Sequence, residues 1–526
     1  MTGAQAAPPA LLDKTHDFAD SRGYQRAEWL PPAAIGCAAF LLIYLTLADR
    51  VIPATDEGIY LQGAANVLRG EMPYRDFFAL TGPGSFWLLA AIFRVFGATL
   101  RAARMLTALD LSLMTALTCW LVSRFAGRVA AAGTAVLFLA LCLSSPGNVV
   151  VNHRWDSSAF ALAAICAGLF ALRTGRRGAA LLAGAAAVVA AWITPSTAPL
   201  AAVIGARICF DRRTRPLAPA YAAGAAVCTL LPAAMLAYKH ALIPLLRSLY
   251  WTGAHYSSAN RIAYGAVFGG PAALFAGAHG AQLAARILLL APFLLPALLP
   301  PLVLAAWLPA LRHPRRPEVY LLFSGGALVA SAFPRWDLLH LLYVSPVFLV
   351  LAAWWMARVR FRLARVAVLV LLLVPAAAMC WHNFMGDGTG FALATPIGRV
   401  RVSRGEAPAI QMCLSNIRPG DALFVFPYEP FFYFLTGGRN PTRYLWLQPG
   451  MMTAEDERAA LSELIARPPQ WILYRDVAPA DYLRIWPGSD PARLRMNSIE
   501  EWIRTGYRPY ASAPSPDGVR RLLERR

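Results

Sequence analysis

Carboxylates and arginines in this chain gather where apolar runs end, and four such clusters could do chemistry. Asp56 and Glu57 open the stretch ATDEGIYLQGAANVLRGEMPYRDFFALTGPGSFWLLAAIFRVFG, a loop of about fifty residues that is far longer than a connector needs. NHRWDSS, at 152–158, places His153, Arg154 and Asp156 within one turn. Arg101 and Arg104 open another apolar run, and FPRWDLLHLLY (333–343) carries Arg335, Asp337 and His340. A carboxylate at such a position can take a proton from a hydroxyl. A guanidinium can bridge two oxygens of a phosphate, which an ammonium cannot copy. His153 with Asp156 could ligate a divalent ion such as Mg²⁺ or Mn²⁺, although nothing in the sequence requires one. Each cluster also has a plainer use. Acids cap helix N-termini, arginines and Trp155 anchor at headgroups, and Asp337 can simply neutralise Arg335. The stretch YWTGAHYSSANRIAYG (250–265) reads mainly as an interfacial aromatic belt.

The elements that must position these residues are membrane helices. Of 526 residues, 58% are hydrophobic and only 15% charged, against about 25% charged in soluble domains. The net charge of +20 does not point to nucleic acid. Its arginines sit in short loops between apolar runs: Arg124 and Arg128; Arg173, Arg176 and Arg177; 207–215; 312–316; 358–365. That is the positive-inside pattern. Apolar runs fall near 33–50, 99–123, 129–145, 157–172, 179–194, 198–210, 217–237, 285–309, 319–333, 338–356 and 365–383. Eleven spans with the arginine loops inside place the N-terminus in the cytoplasm. Asp56, Asp156, His255 and Asp337 then share the far side with everything after about residue 384.

Residues 1–30 carry mixed charge and no small-residue cleavage site, so they read as a cytoplasmic tail ahead of an uncleaved first helix. Within 51–100, two apolar-periodic segments read as helices lying along the bilayer interface, the acids starting the first. Composition shifts at 385. The order strand (422–426), helix (453–466), strand (471–474), helix (498–505) predicts an α/β domain over 385–526, beside a membrane module over 1–384. Among eight cysteines only Cys413 falls in that domain, so it holds no disulfide of its own, and no spacing suggests structural zinc. No phosphate-binding glycine loop or dinucleotide fingerprint is present.

The acidic pair, then Y-x-x-x-A-x-x-V-x-x-G-E-x-P-Y-R-D-F, then G-P-G-x-F-W and R-x-x-x-A-L entering the next run, together resemble the GT-C membrane glycosyltransferases. The nearest type is bacterial family 39, related to protein O-mannosyltransferases and to the aminoarabinose transferases that modify lipid A. The matching residues are Asp56, Glu57, Tyr60, Gly70, Glu71, Pro73, Tyr74, Arg75, Asp76, Gly82, Pro83 and Arg104. R-x-D-x-x-H at Arg335, Asp337 and His340, and the Pro427–Arg443 stretch, extend the likeness over most of the chain. The loop at 194–199, TPSTAP, departs from the Thr-Lys-like pattern of close relatives.

The resemblance implies a sugar carried from a polyprenyl phosphate to a hydroxyl of a glycan, lipid or protein acceptor, outside the cytoplasm of a bacterial inner membrane. It implies Asp56 as base, with Glu57 and Asp156 beside it. Arg104, Arg154 and Arg335 would be phosphate ligands; Tyr60, Glu71, Tyr74, Asp76, Asp337 and His340 would contact acceptor or sugar. Two other readings stay open at this point: a flippase of lipid-linked sugars, and a non-catalytic envelope assembly protein. The topology is directly testable. Reporter fusions at Arg176 and Arg315 should read cytoplasm and one at Arg526 the far side; a cytoplasmic Arg526 would overturn the arrangement.

Overall fold

The computed structural model describes residues 22–53, 55–266, 274–386 and 390–526; the expected N-terminal tail lies largely outside them. All eleven apolar runs are helical, yet their lengths differ. Among the described residues six helices are long and apolar enough to cross a membrane: Trp29–Leu47, Leu100–Ala126, His153–Thr174, Arg215–Tyr238, Gly280–Arg312 and Arg362–Asn383. A seventh span results if Leu338–Val344 and Pro346–Met356, bent by 71°, form one crossing. The bend follows from Pro346, which lacks an amide and disfavours helical geometry in the residue before it. The remaining runs give Arg128–Leu143, Arg177–Ile193, Ala198–Phe210 and Pro317–Ser331. All four fall short of the roughly 20 residues that cross unaided. The helix lengths therefore show six or seven spans where the apolar runs suggested eleven.

The short helices are held by close packing. Ala180, Ala183, Gly184, Ala187 and Ala190 form a buried small-residue face on Arg177–Ile193. That face meets Ala218–Tyr238 so closely that a Cβ on Gly184 would lie 2.1 Å from the Tyr221 carbonyl oxygen. Small residues allow such backbone approach, which is how helices associate where there is no hydrophobic drive. Leu100–Ala126 is the central helix, buried along most of its length against the first helix, Arg128–Leu143, His153–Thr174 and Pro346–Met356.

Outside this bundle lies a second layer. The acidic segment is helical over Thr55–Leu68, with Asp56 and Glu57 in its first turn, and the second segment over Gly84–Phe96. The first is enclosed by protein along much of its surface. Glu57, Gly58, Tyr60, Leu61, Gln62, Gly63, Ala64 and Asn66 are all buried. They are covered by the C-terminal region, which adds a hairpin, β1 (Phe391–Thr395) and β2 (Gly398–Val402), and a four-stranded sheet. The sheet strands are β3 (Leu423–Phe426), β4 (Trp471–Arg475), β5 (Tyr507–Ser515) and β6 (Gly518–Arg525), in the order β3-β4-β6-β5. β3 and β4 are parallel, joined across the Ala454–Ala466 helix; β6 runs antiparallel to both neighbours. The expected α/β order is present. The β5–β6 hairpin is additional, because Pro509 and Pro514 make β5 read as turn; an edge strand with a bulge at Pro509/Ala511 tolerates them.

The core of this region does not stop at its own boundary. Leu61, Phe86, Leu89 and Phe93 of the 51–100 loop share one hydrophobic cluster with Phe424, Phe431, Phe432, Ile472 and Leu522. Backbone bonds stitch the two: Val51 N–H to Arg401 O at 2.8 Å, and Phe78 N–H to Arg443 O at 2.8 Å. Gly58 is the closest contact. A Cβ there would lie 2.2 Å from the Phe431 backbone nitrogen, so the acidic helix sits directly on the Phe431–Thr436 helix. Gly58→Ala should lower stability by about 1–3 kcal/mol through overpacking, read as a reduced thermal midpoint in detergent. An unchanged midpoint would show that the two helices separate freely.

Candidate functional site

The acidic helix is fixed by its second carboxylate. Glu57 is 0% exposed and Arg104, from the central span, 2%. Arg104 Nη2 donates to Glu57 Oε2 at 2.8 Å and Nε to Oε1; its Nη1 donates to Val149 O at 3.1 Å. The Val151 amide donates to Glu57 Oε1 at 3.1 Å. One side-chain pair thus joins the outer loop, the central span and the 149–151 segment that leads into His153–Thr174. The Arg104 fork is filled, so the structure gives it this anchoring contact and not an open phosphate site.

Asp56 lies one residue earlier, turned about 100° around the helix, and faces a cavity of about 350 Å³. Asn152 joins it to the opposite wall. Its amide donates to Asp56 Oδ2 at 3.1 Å, while its side-chain oxygen caps His153–Thr174 by accepting from Arg154 N at 2.8 Å. This capped helix start delivers His153 and Arg154 into the cavity wall. Arg154 Nη1 donates to Ser331 O at 2.7 Å, and its buried Nε has no hydrogen-bond partner. No carboxylate bonds to it among the described residues.

His153 Nδ1 lies 2.7 Å from Thr194 Oγ1, which donates to Ser157 Oγ at 3.0 Å, which donates to Arg154 O at 3.2 Å. Each hydroxyl has one proton to give, so Thr194 must accept from His153. Nδ1 therefore carries the proton and Nε2 is the ring's acceptor. Thr194, Pro195 and Ser196 line the cavity.

His340 enters from the broken span. Asp337 caps the Leu338–Val344 helix through His340 N at 3.0 Å and bonds His340 Nδ1 at 2.8 Å. Arg335 Nε holds the other Asp337 oxygen at 3.1 Å and Arg335 Nη1 bonds Asn260 at 3.1 Å. Burial alone would raise the Asp337 carboxyl, but the His340 hydrogen bond and the Arg335 charge hold it well below the usual carboxylate range. Tyr60 completes the wall, its hydroxyl 3.2 Å from Thr81 Oγ1, with burial and the nearby Asp56 charge pushing its phenol well up. Trp446 from the C-terminal region and Thr252 and Tyr256 from a π-helical turn, Thr252–Tyr256, close the rim.

The remaining sequence-derived residues lie elsewhere. Glu71 pairs with Arg69 at 3.4 Å on the surface, and burial raises its carboxyl. Asp76 bonds Arg75 at 2.7 Å and the Met72 amide at 2.7 Å, and the Arg75 hydrogen bond lowers it. Tyr74 supports the wall from behind, donating to Thr81 O from a left-handed backbone, φ 71°. Asp156 points inward, accepting from Ser85, beside Asp110 of the central span. His153 and Asp156 thus face different surroundings, and no group of three or more His, Cys, Asp or Glu assembles as a metal site among the described residues. The sequence reading missed Asn152 as a direct partner of Asp56; its N-cap position before HRWD was the available signal.

The fold is similar to that of ArnT from Cupriavidus metallidurans, solved bound to undecaprenyl phosphate. The TM-score is 0.55 at 14% identity, over 96% of this chain and 98% of that one. The apo state of ArnT gives 0.53 at 14% identity, over 95% and 98%. The archaeal oligosaccharyltransferase AglB from Archaeoglobus fulgidus, solved with an inhibitory peptide and a dolichol-phosphate, gives 0.52 at 12% identity, over 95% and 74%. The sequence matches no family model and no curated protein. At these identities the likeness is one of fold alone.

The anchoring pair makes its own prediction. Arg104→Ala leaves a buried carboxylate without its counter-charge and should cost about 3–5 kcal/mol. The double variant Glu57→Gln, Arg104→Met should unfold at a higher temperature than Arg104→Ala. Thermal unfolding in detergent decides this, and a wild-type midpoint for Arg104→Ala would remove the pair's anchoring role.

Proposed function

We propose that this protein is a glycosyltransferase that moves a sugar from a polyprenyl-phosphate donor to an acceptor hydroxyl on the extracytoplasmic face of a bacterial inner membrane. The observation that carries this reading is the open guanidinium of Arg154 in the same cavity wall as the Asp56 carboxylate. An arginine that gives one arm to a backbone carbonyl and has no carboxylate partner suits a phosphate, and a carboxylate held by one amide has an oxygen left for a proton. ArnT was solved with undecaprenyl phosphate and AglB with a dolichol-phosphate, which supports a lipid-linked phosphate as donor here.

In the reaction so read, Asp56 takes the acceptor's proton as its oxygen attacks the sugar's anomeric carbon. The bond from that carbon to the phosphate oxygen breaks on the opposite face, so configuration inverts. The charge that builds on the phosphate is met by Arg154, an interaction stronger in the transition state than before it. Tyr60 and Trp446 offer aromatic faces to the sugar. The proposal includes the eleven-span, N-in and C-out topology, with the domain boundary near 385, because it places the cavity on the side where lipid-linked sugars rather than nucleotide sugars serve as donors. Among the described residues lining the cavity, a divalent ion would find one carboxylate, Asp56, and would have to share the donor's phosphate.

Asp56→Asn should stay folded and inserted while transfer from a polyprenyl-phosphate sugar in liposomes falls about 10²- to 10⁴-fold. Arg154→Lys should raise the donor KM and lower kcat, leaving the acceptor KM unchanged. Turnover of Asp56→Asn within a few fold of wild type would dismiss the base, and wild-type donor dependence in Arg154→Lys would dismiss the phosphate ligand.

A further inference from the structure

We propose that His340 is a proton-carrying ligand of the donor phosphate, binding one proton as the phosphate arrives; this rests on reading the cavity as a prenyl-phosphate site. Two histidines line the cavity, and their partners separate them. His153 gives its Nδ1 proton to Thr194, whose own proton is committed to Ser157. Hydroxyl dipoles stabilise a neutral ring and offer nothing to a second charge. His340 gives Nδ1 to Asp337, a carboxylate whose two oxygens are held by His340 itself and by Arg335. A ring backed by a fixed carboxylate can carry a second proton on Nε2, the logic by which a buried acid supports an imidazolium.

Nε2 of His340 has no protein partner among the described residues, and the ring lines the cavity wall. Two positive charges stand near the ring and repel a second proton on it: Arg154 from His153–Thr174, and Arg335 behind Asp337. The other titratable groups facing it are His153 on that helix, Asp56 and Tyr60 on Thr55–Leu68, Tyr256 on the π-helical turn, and Tyr343 on its own helix. An anionic phosphate bound to Arg154 offsets that repulsion. The imidazolium then stands between two anions, Asp337 and the phosphate, and donates its new Nε2–H to a phosphate oxygen. The gain is a second charge-assisted hydrogen bond to the leaving group. The proton balance is simple: one proton enters from solvent on binding, and no bond of the sugar changes until transfer.

The sign follows. The His340 pKa is higher in the complex than in the free protein, so donor binding is strongest at low pH and weakens as pH rises. Between the two pKa values Kd should rise about tenfold per pH unit. The probe is farnesyl methyl phosphate, a prenyl phosphodiester that keeps one negative charge across this range, so its own titration adds nothing. Calorimetry on the detergent-solubilised full chain, in buffers of differing ionisation enthalpy, counts the protons bound. Wild type should bind up to one proton per diester across the pH range in which Kd rises. His340→Gln should still bind the diester, more weakly and with uptake near zero, and Asp337→Asn should also lose uptake. His153→Gln should keep it. Diester binding without uptake in wild type, or undiminished uptake in His340→Gln, overturns the inference and leaves the reading of the cavity intact. No diester binding by the folded wild type overturns both. The wild-type count stands even where a variant fails to fold.

Discussion

The arrangement depends on one buried ion pair, Glu57 with Arg104. Both groups have left water, which is costly unless geometry and extra hydrogen bonds compensate. Here they do: the contact is bidentate, and the spare valences reach Val149 O and the Val151 amide. These partners come from three separate pieces of chain, so the pair fixes where the outer loop stands on the bundle. Asp56 is the neighbouring residue on a rigid helix. Once Glu57 is locked downward into the bundle, Asp56 has no freedom but to turn sideways toward Asn152 and the cavity. The apparent redundancy of two adjacent acids resolves into an anchor and a cavity-facing carboxylate.

The second constraint comes from above. An acidic helix lying on a bilayer would be free to slide; this one is clamped by the Phe431–Thr436 helix at Gly58 and by Phe86 at Gly63. Gly82 does the same for the loop's other end, since a Cβ there would lie 1.9 Å from the Trp192 carbonyl oxygen. The glycines of the G-P-G stretch therefore record a close approach to the Arg177–Ile193 helix, directly beside the Thr194–Ser196 wall. The C-terminal region is a structural lid on the loop as much as a domain, because their hydrophobic cores are one.

Much of this was legible in the sequence, and what was not has a common cause. Helix positions, the α/β order and the charged clusters at helix starts follow from local periodicity and capping, which one stretch of chain carries by itself. Asp56, Arg154 and His340 were named from those clusters, and all three reach the cavity. Arg104 was named from those clusters, and Glu71 and Asp76 from the resemblance, and none of the three does. The difference lies in their partners. Arg104 meets Glu57 across 47 positions, a pairing that no local pattern announces, whereas Arg75 and Asp76 are adjacent and could have been read as satisfying each other. Helix length is hidden for a related reason. Short helices such as Arg177–Ile193 are stabilised by neighbours through Gly184 and Gly224, and contact across helices is invisible in an apolar run.

The three arginines differ in what each fork already holds. Arg104 holds Glu57 and a carbonyl; Arg335 holds Asp337 and Asn260; Arg154 holds one carbonyl and keeps a buried Nε unsatisfied. A buried donor left unmade is costly, and a native fold keeps such a cost where a ligand or water can remove it. The cavity's composition agrees with where its two proposed substrates would come from. His153, Arg154, Thr194 and His340, the basic and polar wall, belong to the helix bundle in which a lipid tail would lie. Asp56, Tyr60 and Trp446 belong to the outer layer, which an acceptor would meet first. A transferase joining a membrane-borne donor to an acceptor from outside needs its phosphate ligands on the first side and its base on the second, and the Glu57–Arg104 pair is the bolt that keeps those two walls in register.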